Sequence, residues 1–448
     1  MLDLPRAIVH ILGLFAPLFS RPVYQNALQL FMGHILCKGR RTVADILRRL
    51  NLTKIQNYSK FHWVLSGAKW SALKGAQILF QQILKLASKD GEVFVAIDST
   101  LERRRGTKLK GLGRCRDGVL STKSSKVFSI GLQWLVCAVI IKLPFCKQRW
   151  ALPFLSMLTP PAKPLRSSKN QKDLNKKAKH KKITDWACQV ALLIRRWAGN
   201  TIKLTLVADS AFACYKLAHA CNKSRVSFIT RIRLDARLFD FPPEVGRKRL
   251  VGKRLPNLTE KAKEDSAWQE LQVEWYAGNA KKVYVQTGKC LWYAYGIRPV
   301  AIRWVLVKEG SNDPVALFST NLNHTPKEII EGFVGRWALE VTFGESRRHL
   351  GVETQRQWSD KAIDRTTPIL FGSFSIVSLM GMELTQSDGA KIWVERCSWY
   401  RKEHITFSDV LAYVRDAILR EKCKSLFGKK SEWRKMDIEN LILEVIAA

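Results

Sequence analysis

Two short apolar runs, each ending on an aspartate, limit the folds open to this chain. Val93-Phe94-Val95-Ala96-Ile97 leads into Asp98, and Leu204-Thr205-Leu206-Val207-Ala208 leads into Asp209. Continuous rather than alternating hydrophobicity is the pattern of a strand buried on both faces, typical of parallel strands covered by helices. The second run follows a helix expected over Thr184 to Trp197. It is followed by another helix over Ala211 to Cys221 and a strand over Val226 to Ile232. This alternation predicts an α/β fold with a mixed sheet flanked by helices. Neighbouring parallel strands would bring Asp98 and Asp209 together at their C-terminal ends.

The flanking segments differ in texture. Residues 1–90 are expected to be helical, with apolar residues at spacings of three and four in Val43 to Leu47 and Trp70 to Leu86. Thr42-x2-Asp45 has the form of a helix start. Lys38, Arg40, Arg41, Arg48 and Arg49 cluster around it, and a further helix is expected from Asn57 to Trp63. The pair could form a helix-turn-helix DNA reader, with Arg40 and Arg41 on DNA, or an ordinary helical cap whose charges face solvent. Residues 91–234 carry the first part of the core. They include a Gly- and Arg-rich loop from Leu101 to Ser125 and two strands at Lys126 to Gln133 and Leu135 to Lys142. Residues 163–182 form the densest basic tract, with Lys176 and Lys177 near its centre, suited either to solvation or to nucleic-acid backbone contact. Residues 235–322 alternate in strand fashion and are expected to be a β-rich insertion. The core resumes over 323–385, and 386–448 is expected to be a charged helical region.

Composition narrows the partner class. A formal charge of +37 draws the chain toward phosphate backbones or anionic surfaces, with nucleic acid the expected partner. The 46% of hydrophobic residues and 15 Trp supply enough apolar material for a core, which excludes wholesale disorder. No uninterrupted apolar run is long enough to span a bilayer, and Ile369 to Met382, broken by Ser373, Ser375 and Ser378, is expected to be a core helix. The N-terminal stretch resembles a secretory signal only weakly, so a cytoplasmic, nucleoid-associated protein is expected. The 10 cysteines form no Cys-x2-Cys pair, which argues against a zinc site and fits a reducing compartment. No Gly-x4-Gly-Lys-Ser/Thr loop or dinucleotide fingerprint is present, so ATP or NAD use has no support.

A third acid lies further along. Thr325-Pro326 with Glu328 forms a capping box and opens a predicted helix ending near Gly351. Within it, Phe333, Arg336, Glu340 and Arg347 fall within roughly 60° on a helical wheel, placing one carboxylate beside two guanidinium groups. Ile330, Val334, Trp337 and Val341 form an apolar stripe that reads as core. Singly, each acid has a plainer role, as a turn, a helix cap or a surface ion pair. Together, three carboxylates in a very basic chain suit divalent metal ions acting on a phosphodiester, since Mg²⁺ favours hard oxygen ligands.

These residues resemble the DDE transposases of bacterial insertion sequences, in the branch with a Tyr-x2-Arg-x3-Glu-x6-Lys motif around the last acid. Here Phe333 replaces the Tyr and Arg347 the Lys, while Arg336 and Glu340 match. Ile97-Asp98-Ser99-Thr100, Val207-Ala208-Asp209-Ser210, Gly335 to Glu340 and His349-Leu350-Gly351 extend the resemblance over about residues 30–385. It implies a ribonuclease-H-like core in which Asp98, Asp209 and Glu340 hold two Mg²⁺ or Mn²⁺ ions. It also implies cleavage of transposon ends and joining of the freed 3′-hydroxyls to target DNA. Arg336, Arg347 and Phe333 would contact DNA near the cut. Expected partners are double-stranded DNA (terminal inverted repeats and target) and a second copy on paired ends, with no membrane. A nuclease without strand transfer, or a DNA-binding protein whose acids are structural, is the alternative.

Overall fold

In chain order the helices are α1 (Arg6–Gly13), α2 (Arg21–Leu36), α3 (Val43–Arg49), α4 (Ser59–Ser66), α5 (Ala72–Ala87), α6 (Ile183–Ala198), α7 (Tyr215–Lys223), α8 (Leu258–Lys261), α9 (Pro326–Gly335), α10 (Trp337–Leu350), α11 (Asp360–Asp388) and α12 (Phe407–Phe427). The strands are β1 (Val93–Arg103), β2 (Gly113–Arg116), β3 (Phe128–Lys142), β4 (Arg149–Leu158), β5 (Leu204–Ala208), β6 (Ser227–Ile232), β7 (Leu238–Phe239), β8 (Gln269–Glu274), β9 (Ala280–Trp292), β10 (Val300–Lys308) and β11 (Val315–Ser319). This computed structural model describes residues 4–106, 108–122, 124–162, 165, 180–244, 249–264, 268–310, 312–389, 391–394, 398–399 and 402–427. Two compact units emerge. One is helical (Met1–Leu79, Leu143–Cys146, Gly344–Ala448); the other contains the sheet (Phe80–Lys142, Lys147–Phe343).

In the helical unit, segments from early and late in the chain pack together, as where Arg415 meets the end of α2. Thr42 caps α3 by accepting from the Asp45 amide at 3.1 Å, the arrangement its spacing predicts. Two arginines close the C-terminal end of α2. Arg41 donates to the carbonyls of His34 (3.3 Å) and Cys37 (2.8 Å), and Arg415 to those of Ile35 (2.6 Å) and Cys37 (2.9 Å). Unpaired terminal carbonyls and the helix dipole both favour cations there. Helix α11 is long and apolar enough to cross a membrane by length and composition, yet 78% of its most apolar stretch is buried within the fold. Its serines fold inward: Ser373 donates to Ile369 O and Ser378 to Phe374 O, both at 2.7 Å. Phe374 stacks on Phe407 of α12 at 4.2 Å. The pattern expected for Ile369 to Met382 thus sits inside a longer buried helix.

Arg365 of α11 holds α4 and the turn after it. Its guanidinium donates to the carbonyls of Leu65 (2.9 Å), Ala68 (2.8 Å) and Trp70 (2.8 Å) and lies 4.5 Å over the Trp70 ring. Arg365→Ala would orphan these carbonyls, at a cost of about 3 kcal/mol, since hydrogen bonds to charged donors contribute more than neutral ones. Chemical denaturation of the full chain checks this; an unchanged midpoint would assign the capping elsewhere.

The other unit is built on an 11-stranded mixed sheet, ordered β2-β3-β1-β5-β6-β11-β10-β9-β7, with β4 also paired to β3 and β8 to β9. Strands β1, β5 and β6 are parallel, and β3 runs antiparallel to β1. The two strands expected between Lys126 and Lys142 are one, because Gln133 and Trp134 continue the pairing with β1 without a break. Strand β4 was not anticipated; Pro153 lies within it, beside a register shift opposite Cys137 and Ala138, where an outer strand tolerates proline. Strands β7 to β11, from the region expected as a β-rich insertion, continue the same sheet, with β11 antiparallel to β6. Helix α9 covers one face through Ile329, Ile330 and Val334, packed with Val207, Ile229, Val305 and Leu317. Gly332 permits that approach: a Cβ there would come within 2.8 Å of the Phe94 ring.

Candidate active site

The β1/β5 pairing runs from Val93 opposite Leu204 to Ile97 opposite Ala208. The next residue in the chain after each paired stretch is an aspartate, so the Asp98 and Asp209 backbones lie roughly 5 Å apart, about one strand spacing. Strand β5 stops at Ala208, whereas β1 continues to Arg103 beside β3, with Asp98 opposite Val136. Asp98 is therefore in mid-strand, not at a strand end as its sequence suggested. It stands where the sheet parts, and crevices beyond the carboxyl ends of parallel strands are where open α/β sheets bind ligands.

Each aspartate is locally fixed. Asp98 Oδ1 accepts from the Ser99 amide at 2.7 Å. The Asp209 carboxylate accepts from the Ala211 amide at 3.0 Å and opens the short turn Ser210–Phe212, while its carbonyl accepts from Thr230 Oγ1 at 2.7 Å. The helix expected over Ala211 to Cys221 is thereby divided into this turn and α7.

The third acid arrives on α10. The capping box that begins the preceding helix is present: Thr325 accepts from the Glu328 amide at 3.2 Å, and Glu328 accepts from the Thr325 amide at 2.7 Å. The motif does not lie on one uninterrupted helix, however. At Arg336 the bonding shifts to i→i−3, with Arg336 N donating to Phe333 O (3.2 Å) and Leu339 N to Arg336 O (2.9 Å), so α9 ends and α10 begins. Such a tight turn rotates the helical face. The stripe expected to be core is divided accordingly: Ile330 and Val334 are buried, but Trp337 (47% exposed) and Val341 (52%) are not. Trp337 instead faces Tyr276 at 5.5 Å between ring centroids.

Arg336 joins the acids. Its Nη1 donates to Asp98 Oδ2 at 2.8 Å, and its Nη2 pairs with Glu340 Oε1 at 2.9 Å. The guanidinium lies 5.7 Å from the Phe333 ring, and its buried Nε finds no partner among the described residues. Burial pushes the Asp98 carboxyl up to about 7; Arg336 opposes the rise, Asp209 and Glu340 add to it, and the Ser99 amide opposes it.

Two contacts with no local sequence signal hold α9 and its lead-in to the sheet. Arg149 of β4 donates to Glu331 O (3.2 Å) and pairs with Glu274 (3.0 Å) and Glu331 (3.2 Å). Buried His324 bridges Ser319 Oγ (2.8 Å) and Glu92 (3.0 Å), tying the turn before α9 to the start of β1.

The other expected site residues are distributed differently. Arg347, on α10, pairs with Glu353 at 3.0 Å. Arg40 is exposed, whereas Arg41 is buried, with its guanidinium on main-chain carbonyls that include His349 O. Lys176 and Lys177 lie outside the described residues.

The donor set fits a hard divalent cation: carboxylate oxygens, no sulfur, two acids on adjacent strands and a third brought in by a helix. Among the described residues no three His, Cys, Asp or Glu side chains converge closely enough to hold a metal ion as they stand. The Arg336 guanidinium lies between Asp98 and Glu340, paired with both.

A family described as DDE superfamily endonuclease matches residues 14–298, a range that includes Asp98 and Asp209 and stops before Glu340. No curated protein matches. Among solved structures, the chain is similar to piggyBac transposase in a synaptic complex with hairpin DNA, at 10% identity and a TM-score of 0.40, covering 99% of this chain and 83% of that one.

Proposed function

Because the chain belongs to the DDE superfamily of endonucleases, we propose that it is a DNA transposase of the bacterial insertion-sequence branch, cleaving transposon ends and joining their 3′-hydroxyls to target DNA. The observation that supports this reading is the position of Asp98 and Asp209, each one residue beyond the paired stretch of two adjacent parallel strands, with Arg336 linking Asp98 to Glu340. The strand order β4-β3-β1-β5-β6, with an antiparallel trio followed by parallel partners, supports a ribonuclease-H-like core.

Asp98, Asp209 and Glu340 would hold two Mg²⁺ or Mn²⁺ ions, which when bound would neutralise the scissile phosphate and sharpen the attacking oxygen. The chain's own groups do the positioning. Arg336 presents a planar fork suited to a phosphate once it leaves the carboxylates. Phe333 supports the guanidinium from beneath, and Arg347, on α10, would add a second cation to the DNA contact. The helical N-terminal segment, with exposed Arg40, would contribute to gripping the terminal repeats. Assembly of two copies on paired ends completes the reading.

The test uses the full chain with a duplex carrying the inverted repeats that flank its coding sequence, precut to expose the 3′-hydroxyl, together with a supercoiled target plasmid and Mg²⁺. Joined products are expected. Metal-dependent nicking without joining would overturn the transposase reading in favour of a nuclease; neither product would remove the enzymatic reading altogether.

A further inference from the structure

We infer that the two-stranded ribbon β2–β3 is a second, sequence-independent docking surface for duplex DNA, set apart from the acids on the same face of the sheet. This rests on the reading of the chain as an enzyme acting on DNA. Strand β1 ends at Arg103, opposite Gly131, and beyond that point β3 is paired with β2: Arg114 opposite Ile130 and Arg116 opposite Phe128. Directly opposed residues share a face, and faces alternate along a strand. Asp98 opposes Val136, so Trp134, Leu132, Ile130 and Phe128 follow on its face, with Arg114 and Arg116 beside the last two.

The outer end of that face is open and positive. Arg114 and Arg116 are exposed, as are Phe128 (49%) and Ile130 (45%), and the Arg114 guanidinium lies 5.7 Å from the Phe128 ring. Arg105 and Lys126 are also exposed. Between Leu101 and Lys126 the acids are Glu102 and Asp117, both buried. Glu102 pairs with Arg104 (2.8 Å) and accepts from Trp134 Nε1 (2.8 Å). Neither acid offsets the exposed arginines, so this surface is complementary to a polyanion.

The ribbon is also braced. Asp117 accepts from Arg103 Nε (2.7 Å) and Nη2 (2.9 Å), from Ser129 Oγ (2.9 Å) and from the Val119 (3.1 Å) and Leu120 (3.2 Å) amides. The side chains above it are therefore presented from a fixed base. At about 3.3 Å per residue, Arg114 and Arg116 lie roughly 20 to 26 Å from Asp98 along the strand direction. At about 3.4 Å per phosphate along one DNA strand, that is about six to eight phosphates from the cut, on duplex rather than on the reacting end. The apolar rim is small, two side chains beside two exposed arginines, which favours a polyanion over an apolar protein partner here.

The experiment compares the full chain with Arg114→Gln/Arg116→Gln and Arg114→Lys/Arg116→Lys. Fluorescence anisotropy would follow binding of a random-sequence duplex from 50 to 200 mM salt, without divalent metal. The Gln pair should weaken binding uniformly across sequences and reduce the slope of log affinity against log salt by about 1.8, two phosphate contacts at about 0.9 each. The Lys pair should retain the slope. An unchanged slope in the Gln pair, with the unsubstituted chain binding normally, overturns the ribbon assignment and leaves the transposase reading standing. Failure of the unsubstituted chain to bind duplex overturns both. A Gln pair that alters self-association but not DNA binding makes the ribbon a protein interface and overturns the assignment.

Discussion

Asp98→Asn is expected to lower metal-dependent DNA cleavage by about 10³-fold, or about 4 kcal/mol of transition-state stabilisation, while making the metal-free protein more stable. The two effects share one cause. In the folded chain Asp98 is buried beside Asp209 and takes up its proton near pH 7, whereas an unfolded aspartate does so near its ordinary 3.8. The folded state therefore binds more protons between those values, and stability falls as pH rises through that window. Full stability is present below about pH 4 and is lost once pH exceeds about 7; a gap of about three pH units corresponds to about 4 kcal/mol. Asn carries no charge to bury, so at pH 8 with a chelator Asp98→Asn should melt higher than the unsubstituted chain. Its stability should be flatter from pH 4 to 8. Adding Mn²⁺ should raise the melting temperature of the unsubstituted chain and leave the variant nearly unchanged, because only a metal-binding carboxylate gains from the ion. A variant that cleaves at full rate, or one that melts lower than its parent at pH 8, would remove Asp98 from the role proposed for it.

What the sequence disclosed about this site and what it concealed divide along physical lines. Asp98 and Asp209 were legible because a strand buried on both faces must be apolar throughout, which makes the carboxylate ending such a run conspicuous. The start of α9 was legible because Thr325 and Glu328 satisfy each other's amides and Pro326 occupies the first helical position, all within four residues. Features settled by distant partners were not legible. Strand β1 continues past Asp98 because β3 still pairs with it, and nothing within five residues of Asp98 records that. Arg336, at the turn, bridges to Asp98, 238 residues away, a partner that no helical wheel contains. Arg40 and Arg41 are adjacent and chemically alike, yet one faces solvent and the other caps α2. Arg41 turns inward onto carbonyls near the ends of two helices, those of His34 and Cys37 at α2 and that of His349 at α10, a remote segment.

Arg336→Gln should have the opposite signature in the metal-free protein. The guanidinium meets Asp98 and Glu340 at once, and removing one partner from a buried charged cluster leaves the remaining carboxylates facing each other without compensation. Breaking such a contact typically costs about 3–5 kcal/mol. The loss should be greatest at pH 8, where Asp98 is ionised, and should shrink toward pH 5 as its proton returns. Arg336 is the stronger of the two groups that restrain the rise of the Asp98 carboxyl, the Ser99 amide being the other, so in the variant that group should hold its proton to still higher pH. Divalent ions should then act more strongly on the variant than on its parent, because Mn²⁺ would supply the positive charge that Arg336 provides and would no longer displace a guanidinium. Thermal melts with and without Mn²⁺ at pH 8 and pH 5 separate the possibilities. If Arg336→Gln melts with its parent at both pH values, the guanidinium is not the site's resident cation. Greater destabilisation at pH 5 than at pH 8 would reverse the sign that the buried carboxyl requires.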